Sequence, residues 1–350
     1  MKTPAPKPVR QTAPTRCGRV VRPWLCAALS AAILGVASST HAEVEDKITK
    51  SYAVAPGGQL VLEADRGSIE IKTAEANVVN IEVTRKAGGS RGKAENTLKD
   101  HVVTTTQDGN KVEVRAKYGG EKSSGWFGNS PELQVNFTIT VPRKFDVDLK
   151  TAGGHIQVIE LTGKVDARTS GGHLEFQKIE GPISGQTSGG HITVAGCKGK
   201  VELGTSGGHL DLGKIEGDVT AKTSGGSIQA KAIIGKTVLK TSGGHIEVAG
   251  IRGSIEAGTS GGSISAELLD QPAGDCSFKT SGGHITVTLG AKAAVDVDLR
   301  TSAGRVSTDF PVATTVQGEQ DKSKLAGKVN GGGPLITAHT SAGNVRLEKK

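Results

Sequence analysis

The chain has 350 residues, of which 50 are glycine and only 3% are aromatic. So few large rings do not fill an ordinary globular core of this length, which leaves low-complexity disorder or a repeat fold with a thin core. The formal charge of +8 does not mark a nucleic-acid binder: six of the 43 basic residues and none of the 35 acidic ones fall in the first 42 positions, so the remainder is nearly balanced.

Residues 1–42 read as a secretory signal. A basic stretch ends at Arg22, an apolar stretch spans 24–37, and the small residues Thr40 and Ala42 stand where a signal peptidase reads. Cleavage is expected after Ala42. The competing reading is an uncleaved N-terminal anchor, although the apolar stretch is short for a membrane span. Trp24 and Leu25 before Cys26 do not suit a lipidation signal. The expected location is therefore the periplasm, the cell surface or the medium. The mature chain has no further segment apolar enough to span a bilayer.

Residues 43–150 are expected to form a β-rich capping region. Strands are predicted at 59–63, 78–85, 101–106, 111–117 and 133–141, with one short helix at 93–100. Asp108-Gly109 reads as a hairpin turn. The run from Asp65 to Ile71 (DRGSIEI) looks like a degenerate copy of the repeat that follows.

From residue 151 a hexapeptide recurs. TAGGHI starts at Thr151, and TSGGH or TSGGS copies start at Thr169, Thr187, Thr205, Thr223, Thr241 and Thr259, each 18 residues after the last. Later copies start at Thr280, Thr301 and Thr340, so insertions enter late. A fixed short period is the signature of stacked coils. Numbering each coil from its Thr, positions 6, 8 and 11 are apolar, as in Ile192, Val194 and Cys197. Positions 15 and 17 are apolar or small, as in Val201 and Leu203. Alternation at period two predicts two short strands per coil, near positions 5–8 and 14–18, joined by Gly turns at positions 3–4 and 13. By the same parity the Thr of position 1 faces inward or lies at the corner, which argues against an ice-binding Thr array. Residues 151–350 thus form the solenoid, with 311–333 expected as a loop that leaves the stack. Cys197 and Cys276 fall four coils apart, about 19 Å at one strand spacing per coil, and are read as isolated buried positions.

The run VPRKFDVDLKTAGGHIQV with its repeated TSGGHI, and the opening YAVAPGGQLVLEADRGSIEI, resemble the bacterial putative-adhesin domain family of β-strand repeat proteins. The resemblance covers roughly residues 50–350. It implies an all-β, single-chain β-solenoid (a β-helix, right-handed) in an envelope or secreted setting, and it supplies no catalytic residues. One departure stands out: the residue after the Gly pair is commonly acidic in such repeats, and here it is usually His.

Six His occupy position 5: His155, His173, His191, His209, His245 and His284. Pointing outward, the first four would form a row at ~4.8 Å intervals. Two readings follow. One is a ladder of stacked rings. The other is a divalent-metal site (zinc, nickel or copper) on His155, His173, His191 and His209 with Glu175 nearby. Trp126 and Phe127, an aromatic pair in a Gly/Ser-rich segment, read either as a partner contact or as a lid over the solenoid end. No singular catalytic constellation can be picked out, because every candidate recurs in several coils. The function expected is a non-enzymatic exported interaction or scaffold protein, adhesin-like. Its partners would be an envelope protein, a surface polymer or further copies of itself, with no nucleic acid and no cofactor. The alternatives are a metal-binding protein using the His column and a β-helical polysaccharide-active enzyme.

Overall fold

The computed structural model describes residues 43–119, 132–268, 270–314 and 322–350. Period-two alternation builds each coil, because successive side chains of a strand point to opposite faces. In the coil from Thr187, Ile192, Val194 and Cys197 point inward from strand Ile192–Lys198, and Val201 and Leu203 from strand Val201–Gly204. All five are buried. Each strand pairs in parallel with its counterpart 18 residues on, Ile192 with Leu210 and Val201 with Val219. Two 15-stranded sheets result. Their inward faces share one apolar core that reaches from Val54 to Leu347. The protein is a β-solenoid.

The first strand of a coil runs further than the alternation predicts. From Ile192–Lys198 to Ile246–Arg252 it extends through position 12, because the apolar residue at position 11 also buries and pairs, Cys197 with Ile215 and Ile215 with Ile233. In the two coils before it, Glu160 and Lys178 take left-handed backbone conformations that end the strand early.

The two turns constrain their glycines differently. A Cβ on Gly190, at position 4, would sit 1.8 Å from the carbonyl oxygen of Gly172 one coil below. A Cβ on Gly189, at position 3, would come no closer than 3.9 Å to anything. The sequence respects the distinction: the two last copies read TSAG, with Ala303 and Ala342 at position 3 and Gly304 and Gly343 kept at position 4.

At both ends the coils do not stack in sequence order. Strands Gly58–Ala64 and Ser68–Ala74 form a coil that lies directly on Phe145–Lys150 and Ile156–Ile159. Lys111–Tyr118 and Leu133–Pro142 pair on its outer side. Antiparallel strands then close the end: His101–Asp108 on one sheet, Val78–Ala87 and Val44–Ala53 on the other. The predicted helix is present as Arg91–Asp100, with Ala94 and Leu98 packed against Ala87. The hairpin at Asp108-Gly109 is also present, pairing Asp108 with Lys111 around a positive-φ Gly109.

The C-terminal end differs from the expectation. Leu335–Thr340 pairs with Cys276–Thr280 on one side and Val295–Thr301 on the other. Val345–Lys349 likewise lies between Ile285–Leu289 and Val306–Thr308. The last coil is thus threaded beneath the one that precedes it in sequence. Residues 311–333 are not simply a loop leaving the stack. They carry the strands Val312–Ala313 and Lys324–Val329, and the latter runs antiparallel on the outer edge of Val295–Thr301. The physical reason is the edge itself. On this sheet the strand turned back pairs with the otherwise open edge of Val295–Thr301.

Candidate functional site

Position 5 immediately precedes each first strand and faces outward, so the stacked coils align its residues in one column. The rings of His155, His173, His191 and His209 are parallel within 4° to 9°, with centroids 4.8, 4.9 and 5.1 Å apart. Each ring also accepts a hydrogen bond. The backbone N–H of His173 donates to Nδ1 of His155 at 2.9 Å, that of His191 to His173 at 2.8 Å, and that of His209 to His191 at 2.8 Å. The N–H of Ser227 donates to Nδ1 of His209 at 2.9 Å.

A backbone N–H can only donate, so Nδ1 must hold a lone pair. The neutral ring then carries its proton on Nε2, the nitrogen that faces away from the backbone. No lone pair is left for a metal ion unless the tautomer changes and the bond to the next coil breaks. Glu175 is engaged elsewhere: Nε2 of Gln157 and of Gln177 donate to its two oxygens, at 2.9 and 2.5 Å. Among the described residues, no three His, Cys, Asp or Glu side chains converge as a metal-ligand set.

The column also contains residues that are not His. Ser227 and Ser263 accept the N–H of His245 and His284 on their hydroxyls, both at 3.1 Å. His284 accepts the N–H of Asn344, whose Oδ1 accepts that of Arg305 at 3.0 Å. His, Ser and Asn share one property here, an acceptor one strand spacing below an N–H. The commonly acidic residue of the resembled repeats shares it too. Sequence reasoning saw the imidazoles and missed the role, because the partner of each is a backbone group of the next coil, 18 residues away for most and 60 for His284.

On the opposite side of the turn the Thr column is buried, as its parity implied. Oγ1 of Thr205 donates to the carbonyl of Gly190 at 3.0 Å and accepts the N–H of Gly208 at 3.3 Å. Its hydroxyls are therefore structural. Cys197 and Cys276 are free and buried. Burial pushes the Cys197 thiol up to about 11 and also raises Cys276, so neither is primed as a nucleophile. Trp126 and Phe127 lie outside the described residues.

The side wall at positions 10–12 holds a recess of about 400 Å³ between Arg143 and Lys214. Its lysines and glutamates pair with one another: Lys178 with Glu160 at 2.5 Å, Lys198 with Glu180 at 3.2 Å and Lys214 with Glu216 at 3.0 Å. Those contacts hold all three carboxyls below the usual carboxylate range. No general acid is prepared there.

The Toastrack DUF4097 family model matches residues 59–348. The chain belongs to that family. No curated protein matches this Toastrack chain. Among solved structures, a putative adhesin from Parabacteroides merdae is 14% identical, with 87% of this chain and 96% of that one covered and a TM-score of 0.39. A putative lipid binding protein from Parabacteroides distasonis is 13% identical, with 87% and 97% covered and a TM-score of 0.39. A putative adhesin from Bacteroides fragilis is 12% identical, with 87% and 97% covered and a TM-score of 0.33. At identities and TM-scores this low, these likenesses say nothing about function.

Proposed function

We propose that this Toastrack chain is an exported, non-enzymatic interaction or scaffold protein of the cell envelope, adhesin-like, whose sheet faces contact a surface polymer, an envelope protein or further copies of itself. The observation that carries this reading is the repetition of the outward faces. Each coil presents the same positions at the same spacing, and the acceptor column at position 5 repeats one bond rather than assembling one site. A catalytic centre needs a singular constellation, while repeated weak contacts suit multivalent binding to an extended partner. The signal-like residues 1–42 support export. Among the described residues, no helix is long and apolar enough to cross a membrane.

Two measurements test the reading. N-terminal sequencing of protein from the envelope or medium should begin at Glu43; a chain that keeps Met1 and stays in the cytoplasm would end the export reading. Cross-linking in envelope fractions should capture the partner, and removal of one whole coil (205–222) should weaken that capture in part. All-or-none loss, with the fold retained, would point to a single site and against a repeated surface.

A further inference from the structure

The threaded last coil has an electrostatic consequence on the outward face of the second sheet. Lys279 pairs in register with His339, His339 with Arg300, and Arg300 with Lys324. Four basic side chains from four adjacent strands therefore stand in one row, about 4.8 Å apart. Lys279, Arg300 and Lys324 are exposed on the outward face, and His339 between them is half-buried. They line a recess of about 400 Å³ whose rim also carries Ser302 and Ser341.

The acidic side chains close to this row do not neutralise it. Asp298 pairs with Arg300 at 2.6 Å and lies 3.4 Å from Nε2 of His339. Glu256, on the strand beside Cys276–Thr280, is held by Lys240 at 2.8 Å. Among the described residues, neither Lys279 nor Lys324 is in an ion pair. Among the described residues, Lys279, Arg300 and Lys324 thus share one carboxylate, with two hydroxyl groups at the edge.

We propose that this recess binds a phosphate group. The ammonium groups of Lys279 and Lys324 and the Arg300 guanidinium would meet its oxygens, and the serine hydroxyls would take further ones. The proposal does not depend on export or on the partner of the sheet faces. Phosphate reaches such a site either as a soluble oligophosphate or as a lipid headgroup, and the two sources call for separate probes.

Calorimetry of the purified full-length chain with inorganic tripolyphosphate supplies the first arm. Sedimentation with phosphatidylglycerol vesicles, against phosphatidylcholine vesicles, supplies the second. Lys279→Gln/Lys324→Gln should weaken binding roughly tenfold in whichever arm binds, with an unchanged circular dichroism spectrum and melting temperature. Lys150→Gln/Lys222→Gln removes two charges from the same outward column away from the recess and should leave binding as it was. Tripolyphosphate binding alone would identify a soluble ligand; vesicle binding that follows Lys279 and Lys324 would identify a headgroup. No binding in either arm would overturn the site. So would equal loss in the two double variants, which would reduce the effect to general surface charge.

Discussion

At the residue scale His173 of the column is one acid-sensitive group of this solenoid, and His101, whose pKa burial also lowers, is another. Each ring of the column accepts a backbone N–H at Nδ1, and a proton placed there turns the acceptor into a second donor facing the first. Glu175, Asp211 and Glu247 share the outward face at position 7, but the bonds that matter run between coils. Desolvation, then the charges of His155 and His191, lower the pKa of His173 from its ordinary value of 6.5. The fold thus favours neutral His173, and the unfolded chain binds the proton more readily. Stability from this group is fully present above about pH 6.5 and is lost as pH falls from there through the lowered folded value. The urea midpoint should fall between about pH 7.5 and about pH 5. His173→Asn, which imitates the acceptor at Asn344 and does not titrate, should flatten that dependence; an unchanged slope would show that the ladder is not the acid-sensitive element. The same lone-pair argument bears on metals. Zinc, nickel and copper are expected to bind weakly, with no change in His173→Ala/His191→Ala. Submicromolar binding abolished by that pair would restore the metal reading.

At the element scale the corner of each coil is built from one Thr and one Gly. Gly190→Ala would force a Cβ to within 1.8 Å of a carbonyl oxygen in the coil below, a backbone atom that cannot step aside. It should cost about 3 kcal/mol or more, whereas Gly189→Ala should be nearly neutral. Denaturant titration of the pair checks this, and equal effects would refute the stacking distance. Thr205→Val keeps the shape of the side chain but leaves the N–H of Gly208 and the carbonyl of Gly190 without their hydroxyl partner. A loss of about 1–3 kcal/mol is expected by the same measurement. The N-terminal closing element depends on Arg85, which donates to Asp46 and to the carbonyl oxygens of Leu98 and His101. That one guanidinium fastens strand Val44–Ala53 and the end of the helix to strand Val78–Ala87.

At the scale of the whole molecule, the threaded C-terminus reverses the usual behaviour of a chain end. Terminal residues ordinarily fray and exchange first. Here Leu335–Thr340 is bonded on both sides, and so is Val345–Lys349. Amides of 336–347 should exchange about as slowly as those of 276–289, and more slowly than those of the edge strand Val44–Ala53. Hydrogen-exchange mass spectrometry measures this directly, and rapid exchange across 336–347 would contradict the strand order. Truncation at Gly333 should do more than shorten the stack, because it removes Leu335–Thr340, the strand that pairs with both Val295–Thr301 and Cys276–Thr280.

The coil was legible in the sequence because its determinants are local and repeated. Apolar residues at period two fix the inward face, and glycine marks the corners. An 18-residue period leaves parallel in-register stacking as the arrangement that buries every copy. Ile192, Val194, Val201 and Leu203 could be assigned to the core on that ground alone. The hairpin at Asp108-Gly109 and the helix before it were legible for the same reason, since turn chemistry and periodicity act over a few residues. The order of coils at the two ends was not legible. A strand such as Leu335–Thr340 carries the same alternation wherever it is inserted, so its pattern fits beside Val295–Thr301, beside Cys276–Thr280, or between them. Only the packed structure chooses, by covering open edges with strands turned back on themselves. The role of the His column was hidden likewise, because its partners are backbone N–H groups that carry no sequence signal. The row from Lys279 to Lys324 exists only because the last coil passes between two earlier ones. Sequence therefore determined what each coil is, and tertiary structure decided which coils are neighbours, because side-chain alternation fixes a face while edge pairing fixes an order.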